Sequence, residues 1–104
     1  MSSAKEYLDF ILEQLSGSEE ITCRPMMGEY LLYSRGRLVG GIYDNRLLVK
    51  PVRAATDRMP AAPREVPYPG AKEMLLVEEV DDREFLAGLF LAMADELPPP
   101  KRSL

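Results

Sequence analysis

The sequence predicts an α+β fold in which an N-terminal and a C-terminal helix cover an antiparallel sheet, made of a meander plus a further strand. Apolar residues recur at helical spacing near both ends of the chain. The middle contains short apolar and aromatic runs separated by turn signals, which is typical of antiparallel strands. The 104 residues suffice for one domain. We expect this domain to span residues 1–97, followed by a proline-rich tail at 98–104.

The first helix is predicted over residues 4–16. Ser3 and Glu6 have the spacing of a capping box, in which each side chain accepts a hydrogen bond from the other residue's backbone N–H. One apolar stripe predicts the buried side of this helix: Ala4, Tyr7, Leu8, Ile11, Leu12 and Leu15.

The last helix is predicted to begin after Asp81 or Asp82, because an aspartate can cap a helix N-terminus, and Pro98 ends it. Its core stripe, expected to cover the same sheet face as the first helix, is Phe85, Leu86, Leu89, Phe90, Met93 and Leu97. A second apolar strip on the other side contains Ala87, Leu91 and Ala94. This strip is expected either to lie under the proline-rich segment 60–70 or to bind a partner, of which a second copy of the chain is one alternative.

The sheet is predicted between residues 21 and 50. Pro25 ends the first run and suits an edge strand. Asp44 and Asn45 both tolerate positive φ and therefore predict a two-residue hairpin. Gly40 and Gly41 inside a strand indicate a β-bulge or a close helix crossing. The predicted strands are 21–24, 30–33, 38–43 and 46–50.

Beyond Pro51, residues 53–58 are predicted to form one or two helical turns. Prolines between residues 60 and 69, followed by Gly70, predict an extended, irregular connection. Residues 73–78 are predicted to be the further strand.

The composition excludes several classes of protein. The chain has no histidine, which removes every His-based triad and the commonest zinc ligand. A single cysteine cannot form an internal disulfide and fits a reducing cytoplasm. No run of apolar residues is long enough to span a membrane, and the N-terminus lacks a signal-peptide pattern. We therefore expect a cytoplasmic protein without catalytic residues, a metal site or a cofactor.

Charge is distributed unevenly along the chain. The net charge is −4, yet the basic segment, residues 24–58, carries seven basic groups against three acidic ones. The first interpretation is internal pairing with the acidic flanks. The second is a basic surface for an acidic partner. The candidate partner-binding residues are Arg24, Arg37 and Arg46, and also Leu91 of the last helix.

Nucleic-acid binding is the runner-up function. Four tyrosines could stack bases beside arginines of the basic segment, although strand tyrosines more often pack a sheet face, and a net negative chain opposes nucleic-acid binding. The side chains in question are Tyr30, Tyr33, Tyr43, Tyr68, Arg35, Arg37 and Arg46.

A small-ligand site is a third interpretation, built around Cys23, Arg24 and Glu29, and it requires a pocket that joins these groups. Without a histidine base, Cys23 is more simply a buried structural thiol. Met26 and Met27 are interpreted as core filler.

The segment Arg24-Pro25-Met26-Met27-Gly28, with Tyr33, the run 38–50 and the later 65–68, resembles the N-terminal domain of the TfoX/Sxy family. Members typically show an Arg-x-Met-Phe-Gly turn, a tyrosine-bearing strand and a hairpin ending in Leu-x-Leu-Lys. The resemblance covers residues 6–97, and Met27 and Glu29 depart from it. It implies a small α+β domain associated with regulators of natural competence, which act with other transcription factors. We therefore expect a non-enzymatic regulatory or protein-interaction module.

Overall fold

The computed structural model describes residues 5–17 and 20–98. The predicted capping residue Ser3 and the tail beyond Pro98 lie outside the described residues. The elements follow in this order: α1 (Lys5–Gln14), β1 (Ile21–Met26), β2 (Glu29–Ser34), β3 (Arg37–Tyr43), β4 (Arg46–Val49), α2 (Arg53–Arg58), β5 (Arg64–Glu65), β6 (Met74–Leu76) and α3 (Arg83–Glu96).

The six strands form one antiparallel sheet in the order β1-β2-β3-β4-β6-β5. The predicted α+β fold, with a meander and a further strand, is therefore confirmed. β1 continues through Pro25 to Met26, which an edge strand tolerates because one side of its backbone needs no partner. Within the connection predicted to be extended and irregular, Arg64 and Glu65 form the short strand β5, which pairs with β6.

Three two-residue turns join the meander. Both central residues have positive φ in each turn: Met27 and Gly28, Arg35 and Gly36, and Asp44 and Asn45. This is the geometry of type I′ hairpins, whose twist matches that of the flanking strands. The hairpin predicted at Asp44-Asn45 is confirmed.

A bulge interrupts the pairing of β2 with β3. Leu32 pairs with Gly40 while Tyr33 pairs with Leu38, so Val39 has no partner on β2. Gly40 is also needed for close approach to β4, since a Cβ there would lie 2.1 Å from the Leu48 carbonyl oxygen. The predicted bulge is therefore present, and the close approach is to a neighbouring strand rather than to a helix.

Strand alternation divides the side chains between two faces of the sheet. The helix face packs against α1, α2 and α3 in one core, whose largest fully buried members include Ile11, Leu15, Leu32, Ile42, Leu47, Leu75, Leu86, Leu89, Phe90 and Met93. The opposite face, the outer face, includes Leu31, Tyr33, Leu38, Tyr43, Leu48 and Met74.

Helix α3 is held at both ends by polar contacts. Asp82 caps it, accepting a hydrogen bond from the backbone N–H of Phe85 at 3.0 Å, as predicted. Near its other end, the Glu96 carboxylate accepts hydrogen bonds from the backbone N–H groups of Arg53 (3.1 Å) and Ala54 (2.6 Å). One acidic side chain of α3 thus caps the start of α2, which has no side-chain cap of its own.

The predicted outer strip of α3 needs a correction. Ala94 is fully buried, Ala87 is half-buried and Leu91 is 52% exposed. α3 packs against α2 as well as against the sheet, so more than one of its sides is covered. Over the described ranges, no helix has the length and apolar character needed to cross a membrane.

Candidate functional site

Most of the arginines of the basic segment form ion pairs or hydrogen bonds with groups of the same chain. Arg35 Nη2 lies 2.5 Å from Asp95 Oδ1, and Arg37 Nη1 donates a hydrogen bond to the Ala94 carbonyl at 2.8 Å. Both cations therefore lie at the C-terminal end of α3, where they oppose the negative end of the helix dipole. These contacts support the interpretation that the basic segment pairs with the acidic C-terminal part of the chain.

Arg46 links β4 to β5, which lie on either side of β6 in the sheet. Its Nη1 pairs with the carboxylate of Glu65 on β5, and its Nε donates a hydrogen bond to the Tyr43 carbonyl at 3.1 Å. The Arg46 side chain is half-buried. Arg46 therefore stabilises the link between these two strands on the outer face and is not a free, exposed cation.

The four candidate partner-binding residues do not form one site. Arg37 and Arg46 are occupied as described, and Leu91 is exposed on α3. Arg24 is exposed on β1, at the edge of the sheet. Within the part of the chain that the structure describes, Arg24 makes no ion pair.

The structure does not bring Cys23, Arg24 and Glu29 together on one face of the sheet. Cys23 pairs with Leu32 and faces the helix-face core, where it is half-buried. Arg24 is the next residue on the strand and faces the opposite side. The Glu29 carboxylate instead accepts a hydrogen bond from the backbone N–H of Asp44 at 3.0 Å, which ties two hairpin turns together.

The tyrosines are divided between the two faces of the sheet. Tyr30 packs against the helix-face core, whereas Tyr33, Tyr43 and Tyr68 gather on the outer side. The rings of Tyr43 and Tyr68 have centroids 6.3 Å apart and planes inclined by 55°, which is a tilted aromatic contact. Arg46 lies on the outer face with these three tyrosines, whereas Arg37 faces the helices, so the tyrosines and arginines proposed for base stacking are only partly brought together.

Burial raises the pKa of the Tyr43 hydroxyl, and three neighbouring groups raise it further: Tyr68, Glu29 and Tyr33. Tyr43 is therefore neutral at physiological pH. Such a side chain contributes apolar surface and a hydrogen-bonding hydroxyl, not a charge.

The hairpin between β1 and β2 presents an unusual side chain. Met27 is 98% exposed and has a φ of 51°. Type I′ turns favour Asn, Asp or Gly, because positive φ is strained for residues with long side chains. Arg35 occupies the same position in the next turn, but it gains an ion pair with Asp95. Neither core packing nor turn geometry accounts for a methionine at position 27, and its interpretation as core filler is wrong.

A hollow of about 440 Å³ lies beside this turn and is lined by Met26, Met27, Glu29 and Tyr68. Tyr68 is 52% exposed. We call Met26, Met27 and Tyr68 the Met27 patch. Sequence reasoning missed it, although a methionine followed by glycine at a hairpin turn was the signal that could have revealed it.

A groove of about 410 Å³ adjoins the Met27 patch on the outer face, where Tyr68 lines both depressions. Its walls are mainly apolar and include Leu38, Tyr43, Pro67, Tyr68 and Met74. Lys50, Lys72 and Glu73 are the charged residues that line it. No group of three or more Cys, Asp or Glu side chains within residues 5–17 and 20–98 could hold a metal ion.

Comparison with known proteins finds a relative that aligns with almost the whole chain. A protein of Spirochaeta aurantia, described as an uncharacterized 12.7 kDa protein in the trpE 5' region, is 31% identical over 102 residues, which are 97% of this chain and 89% of that protein. No family model matches the chain, and no solved structure matches it.

Proposed function

The chain belongs to the same protein family as the 12.7 kDa protein of Spirochaeta aurantia, and from this premise we propose that it is a non-enzymatic regulatory module that binds another protein. The resemblance to the N-terminal domain of TfoX/Sxy proteins supports a regulatory role. Under this proposal the module acts in the cytoplasm and is linked to competence gene regulation through its protein partner.

The exposure of Met27 is the observation that carries the proposal. Methionine is flexible and polarisable, and it adapts to varied apolar surfaces. The Met27 side chain lies on a turn and is 98% exposed. It lines, together with Tyr68, a hollow that a partner side chain can enter. Aromatic residues and methionine are enriched in protein interfaces. An exposed apolar side chain held at a strained φ is therefore better explained by binding than by folding.

Internal use of the arginines supports a protein partner over a nucleic acid. Arg35, Arg37 and Arg46 all bond to groups of the same chain. A duplex would compete with these contacts for the cations that must neutralise its phosphates.

The test uses a substitution that favours the turn but removes the apolar side chain. Met27→Asn places a residue that type I′ turns prefer at the same position, so the variant should fold at least as stably as the wild type. Immobilised wild type and Met27→Asn are compared for proteins retained from lysates of the source organism. We expect at least one protein to bind the wild type saturably and to be lost from Met27→Asn.

Phe10→Asn is the matched control, because Phe10 is 36% exposed on α1. It removes a comparable apolar side chain elsewhere on the surface and should leave the retained proteins unchanged. Tyr68→Ala should weaken the binding of the same partner protein that Met27→Asn loses. Equal retention by wild type, Met27→Asn and Tyr68→Ala would contradict the proposed interface.

A further inference from the structure

We infer that the groove on the outer face binds a small carboxylate with an apolar body. This inference is independent of the protein partner proposed for the Met27 patch. It concerns a different depression, although Tyr68 lines both.

The shape of the groove favours a small molecule. The sheet residues Leu38 and Tyr43 line it together with Pro67 and Tyr68 of the proline-rich connection. The volume of about 410 Å³ lies in the range of ~300–1,000 Å³ typical of ligand pockets. Two of its lining side chains contact each other, since Tyr43, which is only 5% exposed, packs against Tyr68. The apolar part of a ligand would lie against these side chains.

The charges lining the groove favour an anion. Lys50 is half-buried and Lys72 is exposed, and both line the groove together with one carboxylate, that of Glu73. The lining is therefore net positive. In the described part of the chain, neither lysine makes an ion pair, in contrast to Arg35 and Arg46. A carboxylate bound near Lys50 would gain a charge-assisted hydrogen bond at the edge of an apolar surface.

Two prolines that restrict the backbone also favour a preformed site. Pro51 and Pro67 both line the groove, and proline restricts its own φ and the conformation of the residue before it. A ligand would therefore order little of the chain on binding, which lowers the entropic cost of association.

Octanoate is the probe, and octan-1-ol is the matched ligand with the same chain but without the charge. Binding is followed by the amide chemical shifts of the folded protein during titration. We expect saturable shifts on octanoate addition around Tyr43, Ala71 and Lys72. We expect octan-1-ol to bind at least about tenfold more weakly, as loss of a charged hydrogen bond predicts.

Three variants locate the site. Lys50→Gln should weaken octanoate binding about tenfold, and Ala71→Trp should abolish it by filling the groove, since Ala71 lines the groove. Lys5→Gln, which changes an exposed lysine on α1, should have no effect.

Three results would overturn the inference. The first is no saturable shift at millimolar octanoate, and the second is equal affinity for octanoate and octan-1-ol. The third is full octanoate binding by both Lys50→Gln and Ala71→Trp, which would place the ligand elsewhere on the protein.

Discussion

The ring of Tyr43 lies over Gly41, two residues earlier on the same strand. A Cβ at position 41 would be 2.8 Å from Tyr43 Cε2 and 2.5 Å from the Tyr30 carbonyl oxygen. Because residues i and i+2 of a strand share a face, only glycine leaves room for a ring that folds back along its own strand. In this position Tyr43 lines the groove and contacts Tyr68.

Gly41→Ala should therefore destabilise the fold by about 1–3 kcal/mol, as overpacking of a buried position does. Gly88→Ala is the control, because Gly88 lies in the middle of α3 and a Cβ there meets nothing within 4 Å. The free energy of unfolding of that variant should rise by about 0.5–1 kcal/mol, because alanine has a better helix propensity than glycine. Urea unfolding of both variants measures the difference. Similar stability of the two would show that the Tyr43 ring does not depend on Gly41.

Arg37→Met should destabilise the fold by about 1–2 kcal/mol, because the Ala94 carbonyl loses a charged hydrogen-bond donor at the end of α3. Arg24→Met, at an exposed position on the edge strand, should change the free energy of unfolding by less than about 0.5 kcal/mol. Thermal and urea unfolding compare the two. An effect of Arg24→Met as large as that of Arg37→Met would contradict the assigned structural role of Arg37.

The stability of the fold should fall at alkaline pH in a way that depends on Tyr43. Its pKa is raised above the ordinary 10.0, so the folded state holds the proton more tightly than the unfolded chain. The resulting stabilisation is complete below about pH 10 and is lost as pH rises through the raised pKa. Tyr43→Phe cannot ionise, and its free energy of unfolding should decline less steeply above about pH 10.

Unfolding curves at neutral and alkaline pH check this slope. The pKa of Tyr7 is also raised, first by burial and then by the charge of Asp81. Tyr7→Phe should therefore also make the free energy of unfolding decline less steeply at alkaline pH. Identical slopes for the wild type and both variants would show that neither hydroxyl carries the effect.

Leu91→Glu should leave the folded chain intact, with a change in the free energy of unfolding within about 0.5 kcal/mol, because Leu91 is 52% exposed. Self-association through this side of α3 stays a prediction. If it occurs, light scattering should find a dimer of the wild type and a monomer of Leu91→Glu, since a charge buried in such an interface is costly. A monomeric wild type at high micromolar concentration would exclude the dimer.

Local sequence was sufficient for the elements whose geometry depends on neighbouring residues. The hairpin at Asp44-Asn45 follows from residue types that tolerate positive φ. The cap at Asp82 follows from a side chain that reaches its own helix N-terminus. The two helical stripes and the strand runs depend on periodicity, which burial on one face imposes.

Contacts between distant segments were beyond the reach of these rules. Arg35 and Arg37 appeared as part of a basic segment, but their partners are 60 and 57 residues away on α3. Ala94 was expected on a strip that either lies under the proline-rich segment 60–70 or binds a partner, but it is fully buried, and periodicity alone does not show which other elements pack against a helix.

The sequence by itself thus determined the α+β class, the meander and the start of the last helix after Asp82, because these depend on local propensity and on the spacing of apolar residues. Only the tertiary structure decided which face each arginine serves, that Met27 is exposed, and that Tyr43, Tyr68 and Lys50 line one groove. The physical reason is that strand pairing and the path of the segment around Pro67 bring together residues far apart in the chain. No local pattern encodes their distance in space.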